Sequence, residues 1–328
     1  NMNLNEVMLI KSNQLLGKKL PLHSPLHPND DINKSQSSND SIPSAMHIAT
    51  VLSIHRHLFP EIAFFKKSLK KKISEFKGII KIGRTHTQDA TPIKISNEFL
   101  AFYDQISYAE SVIKKSLNKL YELAQGGTAV GSGINAPYSF SKKFIKYLKQ
   151  ETKLPFKSAP NKYESLASHD VFIEVMSGVE ILTSALFKMA NDIRVLASGP
   201  RSGISEIILP ANEPGSSIMP GKINPTQCEA LSMVCAHVIG LRNSVTFACT
   251  QGHFQLNVYN PLIIHNTLDA IRLIGEAMAS FRANCLKGLK INKKRINELL
   301  NRSLMLVTPL TKVIGYDLAS KVALNAYN

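Results

Sequence analysis

Residues 215–222 read Gly-Ser-Ser-Ile-Met-Pro-Gly-Lys and place two hydroxyls, glycine-exposed backbone N–H groups and one ammonium within eight positions. Such a set can hold an anion whose charge is spread over two oxygens. The octet lies in a stretch from 199 to 225 that carries five Pro and four Gly, nine of the 33 such residues in the chain. That density excludes an ordinary helix and predicts a long loop between two helical segments. Three other polar stretches carry groups that could bind or act on a ligand: His27-Pro28-Asn29-Asp30, Ser35-Gln36-Ser37-Ser38-Asn39-Asp40, and Gly83-Arg84-Thr85-His86-Thr87-Gln88-Asp89. Taken alone, the first two read as a turn-rich surface loop ahead of a helix with Pro43 in its first turn, and a lone His as a surface or satisfied core residue.

The elements that must position these groups are helical. Ala45, Ile48, Ala49, Leu52 and Leu58 recur at helical spacing, and the pattern continues past Pro60 to about Phe76. Ile95, Phe99, Phe102, Ile106, Ile113, Leu117 and Leu120 form a second such stripe. From 161 to 198 there is no Pro, and the apolar spacing predicts more than seven turns of helix, a rod suited to a large bundle. Segments 227–247 and 261–289 read the same way, whereas 83–92 reads as a polar break between helices. Few segments alternate with period two. The fold class expected is therefore mainly α, with long helices at its centre.

Composition narrows the possibilities further. The chain has 328 residues, 44% of them hydrophobic, enough for a sizeable core. Its four Cys (Cys228, Cys235, Cys249, Cys285) form no C-x-x-C pair and no metal spacing, so free thiols in a reducing compartment are expected. No run of about 18 apolar, uncharged residues occurs, which argues against a membrane partner. The formal charge of +15 comes from 30 Lys and only nine Arg in small scattered groups without interleaved aromatics, so solvated helix faces are expected and nucleic acid is not. Residues 126–133, GGTAVGSG, lack the Lys-Ser/Thr of a P-loop and have no strand before them.

The segment GSSIMPGKINPTQCE resembles the signature loop of the fumarase/aspartase superfamily, and in this form that of class II fumarases. HPND followed by SSND, GRTHTQDATP and GGTAVGSG are similar to further regions of the same family. The resemblance implies a fumarase-like bundle and the reversible hydration of fumarate to (S)-malate in the tricarboxylic acid cycle, with no metal or organic cofactor. Its alternative is aspartate ammonia-lyase or another superfamily lyase; His86, where aspartases typically carry Gln, favours water elimination. Carried over residue by residue, Ser216 is the carbon-proton base, His86 the group acting at the oxygen end and Glu229 its carboxylate partner. Ser37, Ser38, Asn39, Thr85, Lys222 and Asn224 would bind the substrate carboxylates or stabilise the aci-carboxylate, and GGTAVGSG would be closely packed backbone near the site.

His27, Asn29 and Asp30 would form a secondary anion site, although Ser24-Pro25-Leu26 stands where the family often has Arg. Gln255 stands where Glu is common. The resemblance also implies a homotetramer whose active sites are each shared between three subunits. It divides the chain into the end of an N-terminal domain (1–36), a central bundle (37–291) and the start of a small C-terminal domain (292–328), so that both ends of the family's length are expected to be missing. The compartment expected is the cytoplasm or, alternatively, the mitochondrial matrix.

Overall fold

The computed structural model describes residues 2–17 and 25–327. In chain order the elements are α1 (Met2–Leu15), α2 (Ser38–Ser53), α3 (Phe59–Glu75), β1 (Ile80–Thr85), β2 (Gln88–Lys94), α4 (Ile95–Leu120), β3 (Glu122–Leu123), α5 (Phe140–Thr152), β4 (Lys157–Ser158), α6 (Lys162–Ala167), α7 (Asp170–Leu196), β5 (Ile207–Ile208), α8 (Thr226–Cys249), α9 (Asn260–Phe281), β6 (Lys290–Ile291), α10 (Lys293–Arg302), α11 (Thr311–Ile314) and α12 (Tyr316–Tyr327). The fold is mainly α, as the apolar spacing predicts. With 26, 27, 24 and 22 residues, α4, α7, α8 and α9 are rods of roughly 33–40 Å at the usual helical rise.

Two compact units divide the chain. One comprises Asn1–Phe59, Ser111–Glu180 and Val238–Leu273. Its core gathers Val51, Ile54, Ile113, Leu117, Phe172, Val175, Met176 and Ile263, all with no more than 5% exposure. Gly178 lets α7 lie against α4, since a Cβ there would come within 2.9 Å of the Ile113 side chain. The other unit comprises Pro60–Glu110, Ile181–His237 and Ile274–Asn328. Phe65 stacks on Phe281 at 6.2 Å, and Phe99 meets Phe76 and Phe102 edge-on at 5.1 and 5.7 Å. These ring pairs add to the stabilisation from burial itself.

Three features differ from the sequence reading. The rod expected from 161 to 198 is interrupted: α6 ends at Ser168, whose extended backbone (φ −92°, ψ 123°) separates it from α7. Asn161 caps α6 by accepting the Tyr163 and Glu164 N–H groups, so a short helix is viable there. The polar break at 83–92 is instead an antiparallel ribbon of β1 and β2, with Thr85 opposite Gln88. Its inner positions, Lys81, Ile82 and Gly83, are consecutively buried, and this removes the alternation that would have announced a strand.

The third difference concerns α8. By length and composition it is apolar enough to cross a membrane, with mean hydropathy 1.2 over 18 residues and 22% of that window buried. Glu229 and Arg242 interrupt it, so the expectation of no apolar, uncharged run of about 18 residues holds, and the difference lies in a helix of that length and hydropathy that carries two charges. One face of α8 is buried through Cys228, Leu231, Cys235, Val238 and Val245, while Met233 and Phe247 are 67% and 62% exposed.

His47, on the buried face of α2, lies edge-on to Phe172 and within 3.2 Å of the Leu120 carbonyl through Nδ1. Burial, reinforced by His169, lowers its pKa from 6.5 to about 4, and burial lowers that of His169 too. Below pH 6.5 the unfolded chain therefore takes up protons that the folded chain refuses, and stability falls as pH drops toward 4. For His47 alone the loss is about 3 kcal/mol. Urea unfolding at a series of pH values should show this loss between pH 6.5 and 4, and His47→Gln should flatten the slope by the corresponding amount.

Candidate active site

The stretch 199–225 forms the expected loop, with only β5 inside it pairing with β6. Its tip closes on itself: the Gly215 N–H donates to the Lys222 carbonyl at 3.0 Å, and Asn224 Nδ2 donates to the Gly215 carbonyl at 2.6 Å. Gly is required at 215, because a Cβ would stand 2.3 Å from the Lys222 oxygen. Inside this closure Ser216 Oγ accepts the backbone N–H groups of Ile218 (3.3 Å) and Met219 (3.1 Å). Two dipoles thus point at the oxygen that would carry charge if it lost its proton.

Ser216 and Lys222 line the same open cavity of about 510 Å³ with Ala211, Glu213 and Met219. Ser217 and Lys222 are exposed, and among the described residues the Lys222 ammonium has no hydrogen-bond or ion-pair partner. Glu229 is half-buried in the first turn of α8, where its N–H donates to the Pro225 carbonyl.

Thr85 and His86 lie at the tip of the β1–β2 ribbon, both exposed. His86 and Thr87 form its two-residue turn with φ of 53° and 61°. This left-handed pair matches the twist of the ribbon but costs a non-glycine residue roughly 1–2 kcal/mol at each position. An ion cluster lies at the base of the ribbon. Glu206, with no exposure, accepts both guanidinium nitrogens of Arg84 (3.1 and 2.9 Å) and lies 3.1 Å from Lys81 Nζ. Lys81, itself 1% exposed, also donates to Glu98 Oε1 at 2.8 Å. Burial raises the Glu98 pKa against the opposing pull of Lys81.

In the other unit, Ser37 caps α2: its Oγ accepts the Asn39 N–H at 3.1 Å, and its own N–H donates to Asp40 Oδ1 at 3.0 Å. Asp40 is fully buried, and its Oδ2 accepts the N–H groups of Gly126 and Thr128, both at 2.9 Å. Asn39 Nδ2 donates one hydrogen to the Ala129 carbonyl at 2.8 Å, which leaves its second amide hydrogen, and Ser38 is exposed beside it. The GGTAVGSG turn is closely packed backbone, for at Gly131 (φ 102°) a Cβ would meet the Tyr163 backbone at 2.8 Å.

His27 Nδ1 accepts the N–H groups of Asn29 and Asp30 at 3.3 and 3.2 Å. Ser24 lies outside the described residues. Gln255 is exposed in the turn closed by His253 and Leu256.

The structure therefore brings Ser216, Lys222 and Asn224 together, and separately Ser37, Ser38 and Asn39. Among the described residues no hydrogen bond or ion pair joins His86, Ser216 and Glu229 to one another. Sequence reasoning missed the four groups that hold these pieces in place: Asp40, Lys81, Arg84 and Glu206. Asp40 and Arg84 stand inside motifs already singled out, whereas Glu206 is an isolated acid in a Gly/Pro-rich stretch with no local signal.

A long-helix fold presenting hydroxyl, amide and ammonium groups on separate loops defines a class of α-helical lyases. The sequence profile of a family described as Lyase matches residues 1–240, and the chain belongs to that family, among the class II fumarate hydratases. It is 53% identical over 327 residues to "Fumarate hydratase class II 2" of Bradyrhizobium diazoefficiens, covering all of this chain and 69% of that protein. It is 51% identical to "Fumarate hydratase, mitochondrial" of Homo sapiens, covering 64% of that protein. Among solved structures, class II fumarase from Schistosoma mansoni superposes with a TM-score of 0.97 at 40% identity, over 99% of this chain and 71% of that one. The chain thus spans about two thirds of the length of these relatives.

Asp40→Ala removes four hydrogen bonds from a buried carboxylate, those from the Ser37, Gly126 and Thr128 N–H groups and one from Ser41 Oγ, and leaves the Gly126 and Thr128 N–H groups without their acceptor. Urea unfolding should register a loss of about 3 kcal/mol, larger than any ordinary cap substitution.

Proposed function

We propose that this chain carries the catalytic parts of a fumarate hydratase acting on a small dicarboxylate. The hard step is removal of a proton from the carbon next to a carboxylate of (S)-malate, because that carboxylate becomes a dianion. Lys222 and Asn224 hold the growing charge, with Thr85, Ser37, Ser38 and Asn39 on the second carboxylate. Ser216 takes the carbon proton. The electron pair forms the double bond, and the hydroxyl leaves from the opposite face with a proton delivered by His86, which Glu229 orients. The observation that carries the reading is the Ser216 environment: two backbone N–H groups on Oγ and the Lys222 ammonium in the same cavity. These make an alkoxide tolerable where water would not.

The assembly belongs to the same proposal. Among the described residues no hydrogen bond or ion pair joins His86 to Ser216, and α8 presents Met233 and Phe247 to its surroundings. We read that apolar face as buried against other copies in a homotetramer with sites shared between three subunits. The secondary anion site at His27, Asn29 and Asp30, the domain limits at 36 and 291, and a cytoplasmic or mitochondrial compartment remain part of this reading.

With (S)-malate, the full natural chain should generate fumarate, followed by its ultraviolet absorbance, and Ser216→Ala should reduce the rate by about a thousandfold or more. No fumarate from a folded, assembled wild type would sink the assignment. Sedimentation should give the mass of four chains, and Met233→Glu with Phe247→Glu should shift the mass toward that of one.

A further inference from the structure

We infer that Glu206 is a positioning residue for the reaction: through Arg84 it fixes the turn that presents His86. The inference rests on the fumarate hydratase reading above.

Glu206 is itself immovable. Its N–H donates to the Leu196 carbonyl at the end of α7, its carbonyl accepts the Asn292 N–H just before α10, both at 2.9 Å, and its side chain has no exposure. A buried carboxylate needs compensating charge and hydrogen bonds on both oxygens, and here Arg84 and Lys81 supply them. Arg84 lies two residues before His86. Its planar fork matches the carboxylate in direction as well as charge, and a lysine ammonium could not do this.

Beyond Arg84 the backbone ladder pairs Arg84 with Asp89 and Thr85 with Gln88. His86 and Thr87 are exposed and both left-handed, and the side-chain bond at the tip, from Thr87 Oγ1 to the His86 carbonyl, is local to the turn. A strained pair persists only when its surroundings determine it. The determinant is the Arg84–Glu206 fork at the base of the ribbon. Glu206 also stands ten residues before Ser216 in the same loop, so one carboxylate anchors the ribbon and the segment leading to the proposed base.

Beside the fork is a cavity of about 440 Å³ lined by Arg84, Lys81, Thr87, Glu98, Phe102 and Asn191. Its size allows a small cation to stand in for a deleted guanidinium.

The test uses the full natural chain. Glu206→Gln keeps shape and removes charge. It should lower kcat for malate by about a hundredfold with KM within about threefold, the scale of effect of a small misplacement of a reacting group. Arg84→Lys, which keeps the charge and loses the fork, should show the same pattern to a lesser degree and serves if Glu206→Gln does not fold. In Arg84→Ala, added methylguanidinium should restore the rate at least tenfold, with no effect on Glu206→Gln.

An activity-independent reading separates this inference from the assignment of the reaction. Amide hydrogen exchange at residues 84–88 should quicken at least tenfold in Glu206→Gln, while exchange in α3 stays unchanged. Unchanged exchange at 84–88 overturns the inference whatever substrate the enzyme uses. So does a folded Glu206→Gln with kcat within about threefold of wild type in a wild type that makes fumarate. If wild type makes no fumarate but exchange at 84–88 quickens as expected, the reaction assignment fails and the tether stands.

Discussion

The constraint on which the rest of the molecule turns is the stiffness of the α-helix. A helix satisfies its backbone internally and cannot fold back without freeing N–H and C=O groups, so four helices of 22 to 27 residues act as rods. Chemistry-bearing side chains are thereby pushed to the segments that join rods: the ribbon before α4, the turn after it, the loop between α7 and α8, and the approach to α2. On the reading proposed here, the rods make assembly a condition of catalysis.

Each joining segment solves the same local problem, that of holding polar backbone in a fixed shape without a helix or broad sheet. The loop tip does so by closing Gly215 on Lys222 and Asn224. The ribbon does so with buried charge at its base and a strained turn at its tip, and the approach to α2 with one carboxylate that receives donors from two parts of the chain. In all three the exposed groups are candidates for contact with substrate, while the buried groups behind them hold the backbone in place. The division of labour is between residues that face solvent and residues that keep the first set from moving.

Much of this was legible in the sequence. The helical stripes and the long loop emerge directly, because apolar spacing and Gly/Pro density are local signals, while the family was legible through the resemblance of motifs such as GSSIMPGKINPTQCE. The ribbon was not legible, since Lys81, Ile82 and Gly83 are all buried and no alternation survives. The break before α7 was hidden because Ser168 and His169 are neither Gly nor Pro. Glu206 was invisible because what makes it matter is an arginine 122 positions earlier in the chain. Asp40 looks like any acid in a capping box, and only its burial against Gly126 and Thr128 shows that it does more. In α8, likewise, Glu229 and Arg242 break the run of an otherwise apolar helix.

Asp40 also sets an order of events in synthesis. Its partners at Gly126 and Thr128, like the Asn39 partner Ala129, lie 86 to 90 positions downstream. A chain emerging from its N-terminus can form the local box between Ser37 and Asp40 at once, yet it must wait for another quarter of its length before the carboxylate can be fully enclosed. Until then, the residues proposed to grip one end of the substrate sit on an unfinished helix start. On that reading, any ligand that binds the Ser37–Asn39 group only once the carboxylate is enclosed stabilises the enclosure by mass action.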